Sequence, residues 1–284
     1  MKLIYDRDSL RKWVRKKHQD GERIGLAPTM GNLHAGHLRL LDVLRPHSDC
    51  RIVSIFVNPT QFGPNEDFDR YPRTLERDLE QLSATGCEAV FVPGVEEMYP
   101  FGRDPLTRVV VRDLENRLCG AFRPGHFQGV ATVVSKLLHL VQPDVACFGE
   151  KDWQQLAVIR AMVRDLDMPV DILGCPTERE QDGLAMSSRN QYLSPEERQR
   201  AVILYRTLQQ SATAIRGGLR DFRMLESSAM GLLQKSGFVM DYFSIVDAET
   251  LEPAVDLTQQ IRLLAAGRLG QTRLIDNCPV HQLP

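Results

Sequence analysis

The 284-residue sequence predicts an α/β fold: a Rossmann-like open parallel sheet with helices on both faces, followed by a smaller C-terminal α+β domain. Three observations carry that expectation. Short apolar runs alternate with amphipathic helical stretches from residue 23 to about 173, the pattern of successive right-handed βαβ crossovers. The runs are apolar without alternation, as in Ile52-Val53-Ser54-Ile55-Phe56-Val57, so the sheet is expected to be covered on both faces. Near Pro176 the rhythm changes, and two helices are followed by two or three strands. The expected division is a Rossmann-like domain over 1–176 and a smaller α+β domain over 177–284.

Taken in order, residues 9–18 read as a helix, with Leu10, Trp13 and Val14 on one stripe. Residues 23–27 form the first central strand, and a helix from about Ala35 to Leu44 follows. The strand at 51–57 ends abruptly at Asn58-Pro59. Residues 59–72, P-T-Q-F-G-P-N-E-D-F-D-R-Y-P, make a loop too long for a simple connector, and loops of this kind carry function or are disordered. A helix is expected over 74–85, a short buried strand over 89–92, and a further β-branched run at 107–111. Residues 125–141 have a clean apolar stripe through Val130, Val133, Val134, Leu137, Leu138 and Val141. A strand at 145–148 leads to a helix over 152–166 with Asp152 as a natural N-cap, and 170–173 is the last strand of the series. Ser194 followed by Pro195 opens a long helix reaching about Arg216. A second helix spans 221–235, and strands follow at 239–246, 261–266 and 272–275.

Composition narrows the function. The formal net charge of −2 gives no global field for nucleic acid. The basic run Arg11, Lys12, Arg15, Lys16, Lys17 lacks stacking aromatics and reads as a solvated helix face. No apolar run approaches the roughly 18 residues of a membrane span. The start, Met1-Lys2-Leu3-Ile4-Tyr5-Asp6-Arg7, carries charges where a signal peptide would be apolar, so the cytoplasm is the expected compartment. The cysteines Cys50, Cys87, Cys119, Cys147, Cys175 and Cys278 include no C-x-x-C pair and read as buried free thiols.

The stretch that organises the rest is 24–37, I-G-L-A-P-T-M-G-N-L-H-A-G-H. An apolar strand meets a glycine turn and a helix start carrying His34 and His37, three apart and therefore side by side. Free backbone N–H groups and the helix dipole make such a terminus an anion site. Imidazole donors there suit phosphate oxygens as charge builds at phosphorus. The competing readings are structural imidazoles or half a zinc site. Asn58 and Gln61 lie where a strand ends and are suited to fixing hydroxyls and carboxylates, with turn chemistry the alternative for Asn58. In Gly149-Glu150-Lys151-Asp152, Lys151 is a point charge able to reach phosphate, and Asp152 is either a cap or part of the site. Gln155, one turn on, faces the same side. Met186-Ser187-Ser188-Arg189 sets two hydroxyls before a guanidinium, either wrapping a polyphosphate or serving as a polar linker.

H-x-G-H after a first strand resembles the HIGH signature of nucleotidylyltransferases and class I aminoacyl-tRNA synthetases, and M-S-S-R resembles their KMSKS-type loop with Arg in place of a lysine. Together, P-T-M-G-N-L-H-A-G-H, S-I-F-V-N-P-T-Q-F, Y-P-R-T, R-P-G-H-F-Q-G-V, F-G-E-K-D-W-Q-Q-L and D-G-L-A-M-S-S-R-N closely resemble the pantothenate synthetase (pantoate–β-alanine ligase) family over essentially the whole chain. The resemblance implies attack of pantoate on the α-phosphorus of Mg-ATP, then attack of β-alanine on the pantoyl adenylate with release of AMP. It implies an ATP site from Met30, Gly31, Asn32, Leu33, His34, Ala35, Gly36 and His37, from Gly149, Glu150, Lys151 and Asp152, and from Glu178, Met186, Ser187, Ser188 and Arg189. His37 would be the family's proton donor, His34 and Lys151 its catalytic neighbours. Gln61 and Gln155 would hold pantoate, Gln61 also β-alanine, with Asn58 beside them. A homodimer is implied too. Two departures stand out: Glu178 occupies a commonly apolar position, and only Asp78, after Arg77, remains of an acid pair linked to Mg²⁺, so no protein ligand for the metal is assigned. The alternatives are a nucleotidylyltransferase that stops at an adenylate and a non-enzymatic nucleotide- or zinc-binding module.

Overall fold

A computed structural model describes residues 1–280 apart from 65, 103–104 and 257. Position 65 of the expected loop and positions 281–284 of the expected C-terminal domain therefore lie outside the described residues. The larger sheet has parallel strands β1 (Lys2–Ile4), β2 (Ile24–Thr29), β3 (Cys50–Ile55), β4 (Ala89–Phe91), β5 (Val145–Gly149) and β6 (Asp171–Cys175), in the order β1-β4-β3-β2-β5-β6. Around it run helices α1 (Arg7–Gln19), α2 (Ala35–Leu44), α3 (Leu75–Ser83), the single-turn α4 (Val95–Met98) and α5 (Cys119–Phe122), α6 (His126–Val141) and α7 (Trp153–Asp165).

Neighbouring residues of each strand feed opposite cores, because successive side chains leave opposite faces. Leu26, Ile52 and Ala146 pack with α1, α6 and α7, while Ala27, Val53 and Cys147 pack with α2 and α3. This is why the strands are apolar without alternation. β2 pairs with β3 on one side and β5 on the other, so the direction of winding reverses there. In open sheets the crevice beyond the carboxyl ends at that reversal is where ligands bind.

The C-terminal part consists of α8 (Pro195–Ala201), α9 (Ile203–Arg216) and α10 (Phe222–Lys235), followed by the antiparallel sheet β7 (Phe238–Asp247), β8 (Ile261–Leu269) and β9 (Thr272–Pro279). One side of this sheet closes a core with α9 and α10 through Ile245, Leu263 and Ala265. Its other side sends Val246, Leu264 and Ala266 into the core of the larger sheet. The small sheet is thus shared between two cores.

Three elements differ from expectation. β1 is a strand of three residues on the sheet edge, too short to show a period in the sequence. The run 107–111 is no strand: Val109 donates its N–H to Thr132 Oγ1 of α6 at 3.0 Å instead, and Val109 and Val111 lean on the main core. The helix expected from Ser194 to Arg216 is interrupted at Val202, whose φ of −61° and ψ of −24° stay in the helical region, so the break is a local tightening.

Helix α6 approaches the turn after β3 so closely that only glycine fits at position 129. A Cβ there would lie 2.3 Å from the Thr60 carbonyl oxygen and 2.8 Å from Gln61 Cα. Gly129→Ala should lower unfolding stability by about 1–3 kcal/mol, read as a fall in the denaturant midpoint at constant m-value. An unchanged midpoint would show that the turn is not packed as described.

Candidate functional site

After β2 the chain turns at Gly31, whose φ of +83° only glycine adopts readily. The turn is held from α3. Asp78, only 1% exposed, accepts hydrogen bonds from Asn32 N at 2.9 Å and Leu33 N at 2.8 Å. Thr74, at the head of α3, donates its hydroxyl to the same carboxylate at 3.1 Å rather than capping its own helix. Asp78 is therefore directed at loop backbone.

The turn delivers the chain to α2, whose N-terminus is capped by its own histidines. His34 is the N-cap residue, and its Nδ1 accepts from Gly36 N at 3.2 Å, while His37 Nδ1 accepts from His34 N at 3.3 Å. The rings stand 4.1 Å apart, tilted by 45°. With both Nδ1 atoms accepting, the geometry assigns the neutral tautomer with its hydrogen on Nε2 to each ring. Burial favours that neutral form. It lowers His34 to about 4, with Lys151 adding to the effect and Asp152 opposing it. It lowers His37 to about 3, helped by His34 and Lys151. Two uncharged N–H donors thus sit at the positive end of a helix. Among the described residues no group of three or more His, Cys, Asp or Glu side chains that could hold a metal surrounds them.

These imidazoles open onto a cavity of about 560 Å³ at the carboxyl ends of β2, β3, β5 and β6, within the ordinary range for ligand sites. The cavity brings together Met30, Gly36, His34, His37, Asn58, Gln61, Gly149, Lys151, Asp152, Gln155, Glu178, Met186, Ser187, Ser188 and Arg189. Gly31, Asn32, Leu33, Ala35 and Glu150 are not among its lining residues; the Glu150 carboxylate instead pairs with Arg262 of β8 at 3.0 Å.

Gln61 closes a 3-10 turn, Pro59–Gln61, that Asn58 caps. Asn58 is 1% exposed and donates from Nδ2 to Gln61 Oε1 at 3.1 Å and to Gly129 O at 3.2 Å. Its Oδ1 accepts from Tyr99 OH at 2.8 Å and Thr60 Oγ1 at 3.0 Å. Asn58 thus fixes the carbonyl end of Gln61, whose amide nitrogen points toward Met30 Sδ at 3.1 Å. His126 of α6 supports the same turn through an Nδ1 contact of 2.8 Å with Gln61 O.

The charged groups of the wall divide into paired and unpaired. Arg189 is gripped by Asp67 at 3.0 and 2.9 Å, and Arg123 by Glu66 at 2.6 Å on both arms. Burial would raise both carboxyls, but the guanidinium forks outweigh it and hold them below their ordinary range. The Glu178 side chain lies 3.8 Å from Arg39 of α2, and its carbonyl accepts from Met186 N at 2.9 Å. In contrast, among the described residues the Lys151 ammonium, the Asp152 carboxylate and the Gln155 amide have no protein partner. Asp152 occupies the N-cap position of α7 but makes no side-chain cap bond, so the capping expected of it is absent and its carboxylate is left to the cavity.

Sequence reasoning missed Glu66, Asp67, Arg123 and His126 as parts of this wall. The signal was present in R-P-G-H and in the acids of the 59–72 loop, but nothing in the sequence pairs segments 57 and 122 residues apart.

Comparison with known proteins gives one consistent family. The family described as pantoate-beta-alanine ligase matches residues 2–279. The pantothenate synthetase of Pseudomonas paraeruginosa (strain DSM 24068 / PA7) is 55% identical over 272 residues, 96% of each chain. That of Hahella chejuensis (strain KCTC 2396) is 54% identical over 281 residues, 99% of each chain. The crystal structure of pantothenate synthetase from Thermus thermophilus matches with a TM-score of 0.92 at 48% identity, covering 99% of this chain and 100% of that one. Pantoate-beta-alanine ligase from Francisella tularensis, solved in complex with beta-gamma ATP and beta-alanine, matches with a TM-score of 0.83 at 32% identity, covering 99% and 98%.

The capping geometry makes a spectroscopic prediction. Nitrogen-15 spectra of the ligand-free protein should show His34 and His37 neutral and protonated on Nε2 well below the ordinary histidine value of about 6.5. The unfolded chain takes up protons there near that value, whereas the folded protein does so only near about 4 and about 3. Both groups should therefore withdraw stability as pH falls through that window. Ordinary titration of either ring, or protonation at Nδ1, would contradict the capping arrangement.

Proposed function

The chain belongs to the pantoate-beta-alanine ligase family, and from that premise we propose how its pocket condenses (R)-pantoate with β-alanine to pantothenate at the expense of ATP. The activity is that of an AMP-forming ligase. A pantoate carboxylate oxygen attacks the α-phosphorus and pyrophosphate leaves. The β-alanine amine then attacks the pantoyl carbonyl and AMP leaves. Both steps build negative charge on phosphate oxygens, so they need fixed donors and cations more than a protein nucleophile.

The observation that carries the assignment is the unpaired Lys151 ammonium in a wall shared with two neutral Nε2–H imidazoles. We assign His34 and His37 to hydrogen-bond donation toward phosphate oxygens. Proton transfer from His37 is unnecessary, because its burial keeps the ring neutral and pyrophosphate leaves without being protonated. Lys151 supplies the positive charge, and Met30, His34, Gly36, His37, Gly149 and Asp152 line the nucleotide with Glu178 and the segment 186–189. Gln61 and Gln155 hold pantoate, Gln61 with its amide nitrogen fixed outward by Asn58, whose contribution is then indirect.

Magnesium enters with ATP, where it would neutralise charge on the phosphates. Among the described residues no group of three or more His, Cys, Asp or Glu side chains forms a cage for it. Asp78 is committed to backbone N–H groups, and Asp152 is the carboxylate of the wall free to face the ion. Such a site suits a cation that keeps water and phosphate oxygens as ligands. The same proposal includes closure of the 177–284 part over the nucleotide, a homodimer, and residence in the cytoplasm, which suits a chain whose cysteines are all free.

With pantoate, β-alanine and Mg-ATP the protein should release AMP and pyrophosphate in equal amounts, and no AMP should accumulate when β-alanine is omitted. Lys151→Ala should lower kcat by roughly 10²–10³-fold with little change in melting temperature, since Lys151 makes no ion pair among the described residues. An active Lys151→Ala enzyme would remove the lysine from the mechanism.

A further inference from the structure

The segment Asp276-Asn277 on β9 lies in the C-terminal sheet, yet both side chains reach the walls of the nucleotide pocket. Asn277 is 3% exposed. Its Nδ2 donates to the backbone carbonyls of Glu150 at 2.8 Å and Lys151 at 2.9 Å. Its Oδ1 accepts from Arg262 Nε at 2.7 Å. Arg262 stacks on the Trp153 ring, 3.3 Å from its centroid, and pairs with Glu150. The turn that presents Lys151 is thus held through its carbonyls and through the side chains on either side of it.

Asp276, 4% exposed, does the same for the opposite wall. It receives both arms of Arg179 at 2.7 and 3.0 Å. Arg179 also donates to Gly183 O at 3.1 Å and lies 3.4 Å from the Tyr205 ring centroid. Arg179 bridges to Ala185, and Met186 N donates to Glu178 O, so pinning Arg179 pins the entry to 186–189. Asp276 Oδ1 further accepts from Asn277 N at 2.7 Å, which ties the two anchors together.

We propose that Asp276 and Asn277 are positioning residues for the reaction, a common anchor that sets the spacing between the Lys151 turn and the 186–189 segment across the nucleotide. The inference rests on the reading that these two segments bind ATP. The anchor acts through backbone and through Arg179. It couples the small sheet to the pocket without giving that sheet a catalytic group.

Asn277→Asp keeps shape and the acceptor for Arg262 but removes both donors to the Lys151 turn. Arg179→Lys keeps the charge but loses the two-armed grip, and its partial exposure makes it the safer variant for folding. Mg-ATP affinity of the full chain, measured by calorimetry, should fall about tenfold in each. The KM for ATP should rise in step while the KM for pantoate stays put, a split that general destabilisation would not give. Asn277→Asp should cost little more in a Lys151→Ala background, because its effect runs through Lys151. Equal affinity in both variants, with Lys151→Ala weakened, would overturn the anchor alone. If Lys151→Ala binds Mg-ATP as tightly as the unaltered protein, the nucleotide reading fails and the anchor with it.

Discussion

A helix whose N-terminus is capped by imidazoles sets the terms for the whole pocket. An ordinary N-cap hydroxyl or carboxylate would satisfy the first N–H groups of α2 and put an acceptor at its mouth. His34 and His37 satisfy them through Nδ1 and leave Nε2–H donors outward. The helix dipole then reinforces those donors toward an anion. The arrangement works only if the turn before it is rigid, which is the task of Gly31 and the buried Asp78 carboxylate.

Around that terminus, charge is apportioned unevenly. Arg123 and Arg189 are already neutralised by Glu66 and Asp67 of the long loop, whereas Lys151 is not. Among the described residues, the pocket therefore offers an uncompensated Lys151 ammonium beside neutral donors. A phosphate that engaged Arg189 would have to compete with Asp67, linking occupancy of the site to the position of the 59–72 loop. The segments bearing Lys151 and Arg189 are in turn held from β9, so the geometry of this part of the pocket wall is set from outside the larger sheet.

Much of this was legible in the sequence, and the reason differs by element. The apolar strands and striped helices show their period directly, and α2 runs from Ala35 to Leu44 as the pattern predicts. Strand β1 and the run 107–111 did not follow their composition: one is too short to have a period, and the other spends its backbone on Thr132. The candidate motifs at 30–37, 58–61 and 149–152 were legible because they follow the ends of β2, β3 and β5, where this fold binds ligands, whereas 186–189 stood out only by its likeness to a KMSKS-type loop. What the motifs do for one another was not. That Tyr99 and Gly129 fix Asn58 beside Gln61, and that Asn277 holds the Lys151 turn, are contacts between distant segments, and they follow from strand order and helix packing. Asp276 and Asn277 lie just past the strand expected over 272–275, and only the placing of β9 shows what their side chains hold.

The pocket's central task is to activate pantoate by itself, before β-alanine takes part. Exchange of radiolabelled pyrophosphate into ATP tests this most directly. Exchange is expected with Mg-ATP and pantoate alone, abolished when pantoate is withheld and strongly slowed in Lys151→Ala. Exchange that needs β-alanine, or that proceeds without pantoate, would contradict it.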